Sequence, residues 1–536
     1  MRHAPLRATA LLLFIACFSL FALTAGPFEG YEMENAAVAE GLVRTGEPHL
    51  IDGSPLADSL GHIGRGGERY GRANYVQPLL EAPVMAAGVL ADAAGGTESG
   101  RLTAARLFNP LITAATAVLV LLLLTTLAVP LRRALAVAGA FAVASIAWPY
   151  SDIGMETVTM ALLAAALLAC VRAAQRPGVG RWLIAGGIVG LAAMAKPYAP
   201  ICVLPMLVLL LPALRGARAR RRIALLAALG GPALLAVAVQ LAYNWIRHGS
   251  LLDFGNEERL SPTLAAPLNW IGLFISPGKG LLFYSPLVAL GLLGVPALWR
   301  HDRRLALAVL GPVALLTAFI SVSAHWSDEV WGPRYLVPIA FLPLLALPWW
   351  VTTPLRRRVA LGVAALAVAV QLLAVTLPSG VYVQAAGKVS GTQLFDYRKG
   401  FDYTSQQVLD SDPSVPYGRD PMRWVPELSP LVVHGKLVAS MVRERLGFRP
   451  LVLTYAPFEG KRVDTDLGAV ADGLALRLPT VWWTEDGTSR LPGFALAAVL
   501  LASLVLMARE LRAGGAAPRE LPAVAATPAA AGAASP

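Results

Sequence analysis

Charge is scarce in this chain. Asp, Glu, Lys and Arg make up 15% of its 536 residues and hydrophobic residues 56%, against roughly 25% charged residues in soluble domains. Cysteine is scarcer still. Cys17, Cys170 and Cys202 each sit inside an apolar segment, without metal-ligand spacing and without a polar loop in which to pair. They read as small buried hydrophobes, so neither a disulfide scaffold nor a zinc site is expected. The short motifs of soluble catalysis are missing too. There is no H-E-x-x-H, no C-x-x-C, no G-x-x-x-x-G-K-[ST] and no G-x-S-x-G. ATP chemistry and zinc hydrolysis therefore have no sequence support. The formal net charge of +11 does not point to nucleic acid, because the basic residues fall in short clusters between apolar runs.

Those runs are what the chain has in abundance. Segments of about 18 apolar residues recur from end to end, the signature of an α-helical polytopic membrane protein. Spans are expected near 8–26, 107–130, 134–150, 153–171, 182–197, 199–214, 223–245, 281–299, 305–323, 335–353, 359–378 and 493–508, about twelve transmembrane helices in all. The N-terminal run resembles a signal peptide in its small-residue end, and is read here as a retained first span. Orientation follows from the basic loops. "LRRA", "RAAQRPGVGR", "RGARARRR", "RHDRR", "PLRRR" and "ARELR" all fall on one side, which the positive-inside bias makes cytoplasmic, together with both termini.

The opposite, external face carries a large first loop (27–106), shorter loops at 246–280 and 324–334, and a stretch at 379–492. The domain plan is a transmembrane module over 1–378 that includes the first loop, an external segment or small cap over 379–492, a last span over 493–513, and a disordered cytoplasmic tail over 514–536. In the first loop, 33–44 reads as an amphipathic helix laying Met33, Ala36, Ala37, Leu42 and Val43 on the membrane surface, with Arg44 near its end and Gly46 as its cap. A second short helix is expected over 78–93. "GHIGRGGERYGRANY" reads as loop. "RPLVLTYAPF" and "LALRLPTVWW" read as strands, making the 379–492 segment small and mixed.

The spans are plain Ala, Leu and Val, with few ionisable centres. A transporter or lipid flippase would keep polar groups near the midplane, so that alternative is disfavoured and any chemistry belongs to the external face. Four places there concentrate reactive residues. Glu29, Glu32 and Glu34 follow the first span, and one acid would suffice for helix-start electrostatics. "AHWSDEVWGPRYLVP" gathers His325, Asp328, Glu329, Arg334 and Tyr335 around Trp326 and Trp331, which suit an interfacial belt. Arg334 is the phosphate-gripping type. "SPGKGLLFYSPL" holds Lys279 in broken backbone. Lys196, Asp152 and Glu156 stand at outer ends of spans. Lys196 suits either a phosphate contact or a snorkelling anchor. Arg65, Arg69 and Arg72 read as solvated.

The layout resembles the GT-C glycosyltransferases, multi-span enzymes that use polyprenyl-phosphate sugars, and within them the group of protein mannosyltransferases and the aminoarabinose transferase of lipid A. The resemblance covers most of the chain as topology. As motif it rests on the acidic segment after the first span, on "WGPRYLVP" and on "SPGKGLLFYSPL". Ala39, Leu42 and Gly46 fit the family frame behind the acids, with Glu32 at the second acidic position. Tyr31 stands where relatives carry Asp, which leaves open whether Glu32, Glu34 or Glu29 is the base. A non-catalytic envelope assembly protein is the reading if no base survives.

The resemblance implies inverting transfer of a sugar from a polyprenyl-phosphate donor to an envelope glycan, lipid or protein acceptor. The lipid phosphate would be held by Arg334, with Lys279 or Lys196, and Tyr335, His325 and Asp328 nearby. Some relatives use a divalent cation, so Mg2+ or Mn2+ held by Glu32 and Glu34 stays open.

Overall fold

A computed structural model describes residues 4–26, 31–57, 61–71, 74–96, 98–255, 264–323, 326, 330–377, 381, 385, 423–455, 463–471 and 491–513. The chain is a polytopic α-helical membrane protein. Among the described residues, seven helices are long and apolar enough to cross a bilayer, and eight if one bent pair is counted as a single span. The seven are α1 (Ala4–Thr24), α4 (Ser99–Thr126), α7 (Thr157–Gln175), α11 (Ala219–His248), α15 (Arg303–Ser321), α18 (Pro354–Thr376) and α21 (Leu491–Ala513). The other expected span positions carry shorter or broken helices: α8 (Val179–Ala195), α9 and α10 (Ala199–Met206, Leu211–Arg215), and α13 and α14 (Leu281–Tyr284, Pro286–His301). The segment after Arg334 is a 3-10 turn (Arg334–Ile339) followed by α16 (Phe341–Leu344) and α17 (Leu347–Trp350).

The breaks have local causes. Pro338, Pro343 and Pro348 recur through 334–350. Each removes a backbone donor and crowds the carbonyl four residues back, so no long helix forms. The bent pair is α5 (Leu131–Val143) and α6 (Ala147–Ile153), meeting at 48°. Pro149 cannot donate to the carbonyl of Ser145, and the Ser145 hydroxyl donates back to Phe141 O at 2.6 Å.

Helices α4 and α7 form the buried centre, whereas α11, α18 and α21 keep most of their apolar surface exposed. Such faces belong against lipid. α8 and α11 approach through glycine, because a Cβ at Gly190 would lie 2.8 Å from the Ala233 backbone. α1 packs against α21 and α4, so the two ends of the chain share one flank.

Two expectations about the external segments change. Helix α2 (Tyr31–Arg44) forms and closes at Gly46, whose φ is +79°. It is not a surface helix, however. Glu32, Glu34 to Ala39 and Glu40 are all buried, packed on α3 (Val76–Gly95) and on the 50–57 loop. Its acids are enclosed by protein on several sides, which a one-sided amphipathic pattern does not anticipate. The Gly-rich "loop" contains a two-residue antiparallel hairpin, β1 (His62–Ile63) with β2 (Arg69–Tyr70).

In the segment before the last long helix, α19 (Pro430–Arg445), the hairpin β3 (Val452–Tyr455) with β4 (Val463–Asp466), and α20 (Leu467–Ala471) share a small core around Val433, Leu437 and Leu453. The first expected strand is β3. The second expected strand piece and the 514–536 tail lie outside the described residues.

Candidate active site

Short α6 is the hub on which several connecting segments meet. The Asp152 carboxylate accepts from the Gly26 N–H, and Trp148 Nε1 donates to Thr24 Oγ1 at 3.0 Å, fixing the exit of α1. Tyr150 Oη donates to Trp331 O at 3.1 Å, fixing the loop that precedes Arg334. The Ile146 N–H donates to Ser285 Oγ at 2.9 Å, fixing the end of the Lys279 turn. Three segments singled out in the sequence, spread between Thr24 and Trp331, are thereby tied to one short helix.

The backbone after α6 then meets α2. Gly154 has φ +76° and Met155, a non-glycine residue, φ +49°. This conformation aims the Met155 N–H at Glu32, donating to Oε1 at 2.5 Å. Gln77 Nε2 and Asn109 Nδ2 donate to Glu32 Oε2 at 2.6 and 3.1 Å. A Cβ at Gly154 would collide with the Glu32 carboxyl and lie 2.6 Å from Asn109 Nδ2, so glycine is required there by both φ and space. Burial pushes the Glu32 carboxyl above the usual carboxylate range, opposed by the three donors and by the charge of Lys196. Glu32 is therefore a buried acid held in one orientation, with its proton affinity raised.

On the other side of the same backbone turn stands Glu156. It is 1% exposed, and its Oε1 lies 3.5 Å from Lys196 Nζ and 3.4 Å from Arg334 Nε. Its Oε2 accepts from Tyr198 Oη. Lys196 and Arg334, 138 positions apart in sequence, thus meet over one carboxylate and leave the trio with one net positive charge. The Arg334 guanidinium also stacks on Tyr335, 5.4 Å from the ring centre. Asn109 donates to Glu32 and accepts from Thr157 Oγ1 at 2.6 Å, the residue that follows Glu156 in the chain.

The remaining sequence candidates divide. Lys279 is buried, and its Nζ donates to Val330 O at 2.5 Å, bracing the loop that leads to Arg334. Glu34 is buried two residues from Glu32 and faces other neighbours, with its Cβ beneath Gly71. Residues i and i+2 of a helix do not share a face. Among the described residues no group of three or more His, Cys, Asp or Glu is placed to hold an ion. The donors around Glu32 are N–H groups, which is not a cation's ligand set. Glu29, His325, Asp328, Glu329 and Arg72 lie outside the described residues. Arg65 is exposed over Trp245 and Arg69 pairs with Asp52 at 3.1 Å. Trp326 and Trp331 are buried rather than interfacial, with Trp331 packed on Tyr284 and His434 at 5.2 and 5.1 Å.

Sequence reasoning passed over Gln77, Asn109, Gly154, Tyr198 and Glu81. Gln77, Asn109 and Tyr198 are polar residues in or beside apolar helices. Each carries a weak sequence signal, a polar group that must find a partner where water is absent.

No family description and no curated sequence matches the chain. Among solved structures it is similar to the Archaeoglobus fulgidus oligosaccharyltransferase in complex with Zn and sulfate (TM-score 0.39, 14% identity, 72% of this chain and 56% of that one). It is also similar to ArnT from Cupriavidus metallidurans, bound to undecaprenyl phosphate (0.39, 15%, 94% and 76%) and in the apo state (0.33, 14%, 93% and 76%). The match to the oligosaccharyltransferase spans little more than half of that chain.

Proposed function

We propose that the protein is a GT-C-like membrane glycosyltransferase that takes a sugar from a polyprenyl-phosphate donor at the external face of the cell membrane. The acceptor is an envelope glycan, lipid or protein hydroxyl. One observation carries this reading: a buried acid of raised proton affinity, Glu32, shares a backbone turn with a paired cation site, Lys196 and Arg334 on Glu156. An inverting transfer needs both halves close together. The base takes the acceptor proton as the acceptor oxygen bonds to the anomeric carbon. The bond from that carbon to the phosphate oxygen breaks, and the cations stabilise the charge that collects on the leaving phosphate. Arg334 suits a planar, two-point grip on phosphate, with the Tyr335 ring beside it. Glu156 keeps the two cations together before the anionic donor arrives. Lys279 supports the Arg334 loop. Arg423 and His434 tie the described part of the 379–492 segment to the Lys279 turn and to Trp331.

The test is transfer from radiolabelled polyprenyl-phosphate sugars into a membrane acceptor extract. Glu32→Gln should lower the rate by about 100-fold or more, and Arg334→Ala by about 100- to 1,000-fold. The acid limb of the wild-type rate should lie above the ordinary glutamate range, because Glu32 must be ionised to act and its pKa is raised. Absence of transfer with every donor, or an unchanged rate in Glu32→Gln, sinks the proposal.

A further inference from the structure

Helix α3 carries one residue that the site described so far does not use. Its buried stripe runs Gln77, Glu81, Met85, Gly88 and Asp92, at steps of three or four. Gln77, at one end, donates to Glu32 Oε2 at 2.6 Å. Met85, on the other side of Glu81, packs among Ala36, Ala37 and Ala39 of α2. Glu81 is thereby bracketed against α2, one turn from the residue that holds Glu32. It is 1% exposed, and its Oε2 is buried without a hydrogen-bond partner among the described residues.

We propose that Glu81 and Glu32 are a carboxyl pair holding one proton, carried by Glu81, so that Glu32 is kept as the ionised member. The two environments are opposite. Glu32 receives three N–H donors, which favour its charged form. Glu81 sits in the same protein interior with an unpartnered oxygen, and a bare buried carboxylate is far costlier than a neutral acid. Burial and the Glu32 charge both push the Glu81 carboxyl well above the usual range.

The charged groups on the elements packed around α3 leave this assignment intact. On α2 these are Glu32, Glu34, Glu40 and Arg44, and on α4 they are Arg101 and Arg106, with Lys196 at the end of α8. Glu40, Arg44 and Arg101 are paired with one another around the far end of α2. Lys196 acts on Glu32 and favours its ionised form. Glu32 is the charge that bears on Glu81.

Glu81 is in this sense a positioning residue. It holds the pair to a single negative charge beside a site meant for an anionic lipid phosphate. The use of the pair rests on the glycosyltransferase reading, but its protonation state does not, so the experiment needs no donor. Infrared difference spectra of the full-length protein in lipid nanodiscs at neutral pH would resolve the C=O stretch of a protonated buried carboxyl. We expect that band in wild type and its loss in Glu81→Gln, which mimics the neutral acid and should leave the fold intact by circular dichroism. In Glu32→Gln the band should persist at neutral pH and be lost on titration at a lower pH than in wild type, because the neighbouring charge is gone. A band that survives Glu81→Gln but disappears in Glu32→Gln places the proton on the wrong partner and overturns the proposal. Identical wild-type and Glu81→Gln spectra overturn it as well.

Discussion

At the scale of single residues, the site depends on Gly154. Glycines such as Gly46, Gly53 and Gly67 occupy turns with open space around them. Gly154 differs, since its φ of +76° aims the next N–H at Glu32 and its missing Cβ leaves room for that carboxyl. Gly154→Ala should displace Glu32 and strain the turn at a cost of about 2 kcal/mol or more. We expect transfer to fall toward the level of Glu32→Gln while the protein still inserts and purifies as a folded species. Wild-type activity in this variant, measured in the donor assay, would show that the turn is not needed to aim the acid.

At the scale of elements, the question is what holds α2 in place. Its lock is Glu40. This buried carboxylate accepts from Ser54 and from Arg101, and from Arg44 at 2.8 Å, while Arg101 Nε reaches Asp92 at 2.7 Å. α2, α3 and α4 are thus joined through charge at the end of α2 remote from Glu32. Burial alone would raise the Glu40 carboxyl, but the hydrogen bonds from Ser54, Arg44 and Arg101 outweigh it and leave it below the usual range. For a lowered folded pKa, the stabilisation is full above the unfolded value and fades as pH falls through the folded one. The lock should therefore hold at pH values where ordinary glutamates are already protonated. Glu40→Gln leaves Arg101 short of a buried partner and should cost about 3 kcal/mol, read as a lower midpoint of thermal unfolding. An unchanged midpoint would mean that α2 is held by apolar packing alone.

At the scale of the whole molecule, orientation is the quantity to test. By the positive-inside bias, Arg218 is expected on the cytoplasmic side and the β1–β2 hairpin on the external one. All three native cysteines are buried, so they give little background to a thiol reagent. Gly66→Cys, in an exposed turn with open space around it, should label with a membrane-impermeant maleimide in intact cells. Arg218→Cys should label only after the membrane is opened. The reverse pattern would put the Glu32 and Glu156 cluster on the cytoplasmic face and remove the case for an external donor.

From the sequence alone come the membrane class, the places of the long apolar helices, and Glu32, Lys196 and Arg334 as site candidates. Long apolar runs are local facts, and so are basic loop clusters and an acidic cluster behind a span. Glu32, Lys196 and Arg334 each stood out from their immediate neighbours. Only the tertiary structure decided which of the candidates meet. Glu156, a weak candidate in sequence, is the carboxylate that joins Lys196 to Arg334. Glu34, a strong one, faces away from Glu32. The tertiary structure also decided that α2 is enclosed rather than laid on the membrane, and that Trp326 and Trp331 are core rather than belt. Gln77, Glu81 and Asn109 had no local signal strong enough to name them. A side chain's partner across the bundle is set by helix packing and by kinks such as the one at Pro149, and the chain brings those partners together from positions that no sequence window spans.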